Sequence, residues 1–256
     1  MLASFTALVT CFPYIAISSG EYKLVWADEF NYHGRPDPKK WDYEAGFVRN
    51  KEPQFYTRNR RENARVEGGY LVIEARKEPF DSASYTSASL ITLGKFQFQY
   101  GKVEVRAKLP SGRGSWPAIW MMGADRPLVG WPRCGELDIM EHIAHEPSTI
   151  YGTIHQISPD GKGHVSKGGK AEIPTATSDF HVYGMEWTPK AIKFTVDDQP
   201  YFDFPYDGPT HWTFDRPMYL LINLALGGNW AGKFGIDDNM FPQQFLIDYV
   251  RVYQMK

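Results

Sequence analysis

The stretch Glu136-Leu137-Asp138-Ile139-Met140-Glu141 sets three carboxyl side chains within six residues of one another. In an extended strand, side chains two apart share a face, so Glu136 and Asp138 point one way and Leu137 and Ile139 the other. Strict alternation would then send Glu141 into the core, where an isolated charge is very costly. One extra residue, a β-bulge at Ile139-Met140, restores the phase and returns Glu141 to the acidic face. Such a row is electrostatically unfavourable, because like charges raise one another's pKa. A glycosidase has a use for it, since it needs one carboxylate ionised and another kept protonated near neutral pH. Retaining chemistry asks for carboxyl groups about 5–5.5 Å apart, whereas four effective strand steps leave the backbones roughly 13 Å apart. The side chains must therefore lean together on a bent sheet. The same pattern also suits a solvated acidic edge or a calcium site.

The aromatic neighbours tilt the reading toward sugar. Trp116, Trp120 and Trp131 flank the acids, and the apolar face of a sugar ring stacks on such rings. Trp116, Ala118 and Trp120 share one face of a predicted strand, although each Trp alone would equally suit a core. The eight Trp, fifteen Tyr and sixteen Phe exceed what a core requires, so some rings are expected at a surface.

These groups must be positioned by strands. Val103, Val105, Ala107 and Leu109 alternate with Lys102, Glu104, Arg106 and Lys108, a period of two. Leu71, Ile73 and Ala75 repeat the pattern, as do Ile192, Phe194 and Val196, and Val250 and Val252. Met218 to Leu226 is apolar on both faces and predicts a central, covered strand. Turn residues punctuate the runs at Gly68-Gly69, Pro110-Ser111-Gly112, Asp197-Asp198 and Gly227-Gly228, the third inside a predicted hairpin. About fourteen candidate strands emerge, with short helical turns expected near Pro38 to Trp41 and Pro209 to Trp212. So many strands must pack as two layers or close into a barrel. With no linker or composition shift, one all-β sandwich domain over residues 21–256 is the economical expectation.

Charge excludes little but does exclude something. The 28 basic and 30 acidic residues nearly balance, so nothing argues for nucleic acid or an anionic membrane. Residues 1–20 are almost wholly apolar or small and end in Ala16-Ile17-Ser18-Ser19-Gly20, which predicts a secretory signal and a secreted, periplasmic or cell-surface protein. No other apolar run approaches the ~20 residues of a membrane helix. Cleavage would remove Cys11 and leave Cys134 alone, so no disulfide framework is expected. We expect a monomer.

At this point a resemblance becomes specific. Gly135 to Glu141, preceded by Ser115-Trp116-Pro117-Ala118-Ile119-Trp120-Met121 and Gly130-Trp131-Pro132, resembles glycoside hydrolase family 16, above all its laminarinase-like branch. The likeness extends to Leu24-Val25-Trp26-Ala27-Asp28-Glu29-Phe30, to the run Tyr100 to Pro110, and to Asp248-Tyr249-Val250-Arg251-Val252-Tyr253. It implies a β-jelly roll with a substrate cleft across a concave sheet. It implies Glu136 as nucleophile, Glu141 as acid/base and Asp138 as a helper beside the nucleophile. Asn50 and His155 would line the subsites near the cut, with Trp116, Trp120 and Trp131 as stacking platforms. Glu52, Arg76 and Asn223 extend the set, each equally suited to a structural role. A structural calcium, absent from catalysis, would fall on Glu29, the backbone of Gly68 or Gly69, and Asp248. The implied activity is endo-hydrolysis of β-1,3-glucan of the laminarin type, with mixed β-1,3/1,4-glucan a further substrate. Transglycosylation on the same polysaccharides and a non-catalytic glucan-binding role are the alternatives; the family's binders typically lack the acids kept here.

Two other patterns carry less. Glu141-His142-Ile143-Ala144-His145-Glu146 hints at zinc, but the metalloprotease motif needs histidines four apart on a helix, and these are three apart before Pro147. Gly163 to Lys170 approaches a phosphate loop, yet Gly169 stands where the lysine belongs; a flexible loop at a cleft rim is expected instead. Ser111 to Gly114 reads as a turn.

Overall fold

The computed structural model describes residues 21–256; the predicted signal segment lies outside them. Alternation resolves into two stacked sheets, so the chain is a β-jelly roll. The sheet that carries the site has seven strands, in the order His164–Glu172, Thr149–Ile157, Glu136–Glu141, Ser115–Gly123, Met218–Leu226, Ser89–Ile91 and Asp42–Tyr43. Behind it lies a ten-stranded sheet running from Gln199–Pro205 through Ala191–Val196, His181–Thr188, Gly101–Lys108, Gln243–Met255, Tyr70–Phe80 and Ala83–Ser87 to Gln54–Tyr56. Tyr22–Asp28 and Ala64–Glu67 add to it beside Gln243–Met255 and Tyr70–Phe80. Among the described residues pairing is antiparallel with one exception, the parallel contact of Gln54–Tyr56 with Ala83–Ser87.

The core sits between the layers. Val103, Val105 and Ala107 meet Ile119, Met121, Leu137, Leu220, Ile222 and Leu224, all fully buried. Met218–Leu226 is covered on both faces, as its composition predicts. Its even-numbered residues enter this core, while Tyr219 and Leu221 join a smaller apolar cluster with Ala118, Trp120, Met122 and Cys134 on the other face. Burial pushes the Cys134 thiol up to about 11, so it packs as an inert apolar group. Asp197 and Asp198 turn the predicted hairpin, both at positive φ, as a two-residue turn requires.

Residues Pro38 to Trp41 and Pro209 to Trp212 hold turns, as expected, closed by the Trp41 N–H on the Asp37 carbonyl and the Trp212 N–H on the Gly208 carbonyl; four-residue helices form at Arg126–Val129 and Gly228–Ala231 as well. One local expectation fails. The expected flexible loop Gly163 to Lys170 falls almost wholly in the edge strand His164–Glu172, paired along the whole of Thr149–Ile157. Among the described residues no helix is long and apolar enough to cross a membrane.

Candidate active site

The bulge forms where charge burial demands it. Asp138 pairs with Trp120 and Met140 with Ile119, so Ile139 is the extra residue against Ser115–Gly123. Leu137, Ile139 and Met140 are all fully buried in the core, and Glu136, Asp138 and Glu141 face the opposite way. Two successive core-facing residues leave the carbonyl of Ile139 without its regular ladder partner. The Tyr201 hydroxyl, from the other sheet, donates to it at 2.6 Å. Gly152 leaves room for that reach, since a Cβ there would lie on the Tyr201 hydroxyl and 2.7 Å from the Phe194 ring.

The three acids line one pocket with Arg49, Asn50, Glu52, Trp116, Trp120 and Asn223. Each acid has one ring-nitrogen partner. Trp131 Nε1 donates to Glu136 Oε2 at 2.8 Å, Trp116 Nε1 donates to Glu141 Oε1 at 3.0 Å, and His155 Nε2 lies 2.9 Å from Asp138 Oδ2. Burial raises the Glu141 pKa well above the carboxylate range, and the charges of Asp138 and Glu136 add to it against the opposing bond from Trp116. Burial likewise raises Asp138, helped by the charge of Glu136 and the hydrogen bond between the two. One strand thus presents two carboxyl groups disposed to hold protons beside a third.

The pocket wall is a polar network. Asn50 Nδ2 and Gln54 Nε2 donate to Glu52 at 3.1 and 2.8 Å, and Gln54 Oε1 accepts the backbone N–H of Leu226. Glu52, buried, serves as the knot that ties this loop to the central strand. Asn223 accepts from Trp120 Nε1 at 2.8 Å and donates to Tyr56 at 3.0 Å. Asn50 has φ 54°, a left-handed conformation that Asn tolerates better than most. The loop packs on Gly228, where a Cβ would meet the Asn50 carbonyl at 3.0 Å.

Several expected site residues differ in role or place. Trp131 is 45% exposed and open to solvent, but Trp120 is only 5% exposed. The Arg49 guanidinium lies 4.8 Å over the Trp120 ring, so that face offers no platform. Arg76 lies on the ten-stranded sheet, ion-paired with Glu74 beside Arg61, Glu62 and Arg65, away from the pocket. Arg49 itself was not anticipated. It pairs with Glu44, which Ser89 also supports at 2.6 Å, and no pattern around a single loop arginine marks it out.

The expected metal ligands are engaged in other contacts. Glu29 gives both oxygens to Arg251 at 2.8 Å, and Asp248 pairs with Arg106 at 2.5 Å. Calcium takes six to eight oxygen ligands, and an ion drawing on these two carboxylates and the Gly68 or Gly69 backbone would have to displace both guanidinium groups. Glu136, Asp138 and His155 bring ligand-type atoms within 4.8 Å of one another; the hydrogen bonds among them account for that closeness, and we assign no metal there. His142 is buried against the Pro147 carbonyl with its pKa lowered to about 4, and His145 packs on Phe234. Neither approaches a zinc site.

A jelly roll whose open sheet carries a bulged row of acids beside indole rings has the layout of a glycoside hydrolase. The chain belongs to that class through glycosyl hydrolases family 16, whose profile matches residues 51–251. A β-glucanase of Rhodothermus marinus is 50% identical over 245 residues, spanning 91% of this chain and 85% of that protein. The solved laminarinase from Rhodothermus marinus superposes with a TM-score of 0.87 at 47% identity, covering 93% of this chain and 99% of that one. A solved non-specific endo-β-1,3(4)-glucanase of the family gives a TM-score of 0.85 at 45% identity, with 94% of each chain covered.

Proposed function

We propose that this protein is a retaining endo-β-1,3(4)-glucanase that cuts internal β-1,3 linkages of laminarin-type glucan. The observation that carries the reading is the bulged strand, which faces Glu136 and Glu141 into one pocket while burial holds a proton on Glu141. The relatives named laminarinase and endo-β-1,3(4)-glucanase supply the substrate class. Glu141 gives its proton to the glycosidic oxygen as that bond breaks, and the Glu136 carboxylate attacks the anomeric carbon to form a glycosyl ester. Trp131 Nε1–H orients Glu136 for the attack. Once the leaving chain departs, Glu141 takes a proton from water, whose oxygen displaces Glu136 and regenerates both groups.

The test is product analysis with two variants. Laminarin should yield mixed-length oligosaccharides whose first-formed reducing ends are β by proton NMR. Glu136→Ala should abolish turnover. Glu141→Ala should lose about 10²–10⁴-fold on polysaccharide, yet turn over an activated aryl glycoside with azide to give the β-glycosyl azide. Degradation of a galactan with laminarin and mixed-linkage glucan untouched would remove the substrate class. An α-configured first product would remove the role of Glu136.

A further inference from the structure

The edge strand brings a histidine against the site that the chemistry above does not use. His164 pairs in register with Ile157, so it sits diagonally across from His155, within reach on the same sheet face. Its Nε2 lies 2.8 Å from His155 Nδ1. Its ring also lies 4.6 Å from that of Trp131, the indole that donates to Glu136. We propose that His164 is a positioning residue of the active site: it donates Nε2–H to His155 Nδ1 and so fixes the form of His155 whose Nε2–H is directed at Asp138.

Proton counting along the chain leads there. Burial and the charge of Glu136 favour a proton on Asp138, and the hydrogen bond it shares with Glu136 gives that proton a place away from His155. Asp138 Oδ2 is then an acceptor, and the atom facing it at 2.9 Å is His155 Nε2. A neutral imidazole that donates from Nε2 carries a lone pair on Nδ1. The atom facing that lone pair is His164 Nε2, which must therefore be the N–H. Three hydrogen bonds then run in one direction, from His164 through His155 and Asp138 to Glu136, while Trp131 supplies the other donor to that carboxylate. Such a directed chain holds each member in place through the next.

Without the His164 N–H facing Nδ1, His155 is free to carry its proton on either ring nitrogen. The Nε2–H bond to Asp138 is then made only part of the time, and the chain that ends on Glu136 is interrupted.

The kinetic arm rests on the glucanase reading; the spectroscopic arm does not. His164→Ala should lower kcat on laminarin about tenfold, the scale of one lost hydrogen bond, with KM within about twofold. His164→Gln, whose amide keeps an N–H near the Nε2 position, should restore kcat. Nitrogen NMR of histidine-labelled protein should report Nε2–H on His155 in wild type and His164→Gln, and mixed forms in His164→Ala. A wild-type His155 protonated on Nδ1 overturns the proposal, as does a His164→Ala enzyme that keeps its kcat, whether or not its melting point falls. A wild type that cuts no β-glucan sinks the glucanase reading alone, because the NMR still decides the tautomer.

Discussion

Tyr201→Phe tests whether the bulge is held from across the core. The substitution keeps the ring and deletes only the hydroxyl that donates to the Ile139 carbonyl at 2.6 Å. That carbonyl belongs to a fully buried residue, and water cannot easily replace the lost donor. An unsatisfied buried acceptor costs about 1–3 kcal/mol. At ~2 kcal/mol, a protein of this size loses roughly 4–8 °C of melting temperature. The functional effect follows from phase: Ile139 is the extra residue that turns Glu141 toward the pocket, so a loosened bulge lets Glu141 drift from the glycosidic oxygen. We expect kcat on laminarin to fall about tenfold, since small misplacements of a catalytic group are expensive. The assay pairs thermal unfolding with initial rates measured well below the transition. Gly152→Ala should give the same signature by pushing the hydroxyl aside. A Tyr201→Phe enzyme with wild-type melting and kcat would refute the reasoning, for the carbonyl would then need no such partner.

Two predictions address the raised acid. Trp116 Nε1–H favours the ionised form of Glu141, so Trp116→Phe should raise its pKa further and move the alkaline limb of the kcat profile to higher pH; an unmoved or lowered limb contradicts the assignment. A carboxyl whose folded pKa lies above its unfolded value stabilises the fold below the unfolded pKa, and that contribution is lost as pH rises through the folded pKa. Glu141→Gln should therefore melt above wild type at pH 7, with the difference closing toward about pH 4, near the unfolded value; a variant that melts lower at pH 7 contradicts the sign.

What the sequence made legible was what two-residue alternation and charge impose locally. Gly101–Lys108 shows strict alternation of buried and half-buried residues, because one face meets the core and the other does not. The bulge was inferable because Glu141 cannot be an isolated buried charge. The Gly163 to Lys170 stretch was misread because an edge strand with little packed on it has no apolar period, and its glycines imitate a loop. The four-residue helices at Arg126–Val129 and Gly228–Ala231 are too short to show a period at all. Arg76 entered through the family resemblance alone, with a structural role equally open, and its strand lies in the other sheet. Arg49 and Tyr201 are single residues whose partners, Glu44 with Trp120 and the Ile139 carbonyl, are brought to them only by the fold.

The spacing of the acids is therefore a property of both sheets. Three carboxyl groups on one face within six residues require a bulge, and the bulge leaves a carbonyl in the core. Satisfying it takes a hydroxyl long enough to cross from the opposite layer and a glycine, Gly152, on the strand it passes. That same Thr149–Ile157 strand carries His155, the partner of Asp138, so the residue that admits the tyrosine and the residue that holds the helper acid are fixed by one register. A one-residue slip of this strand would turn His155 away from Asp138 and place a side chain where Gly152 stands. The pairing that positions the chemistry is thus also the pairing that packs the core, which couples the geometry of the acids to the stability of the sandwich behind them.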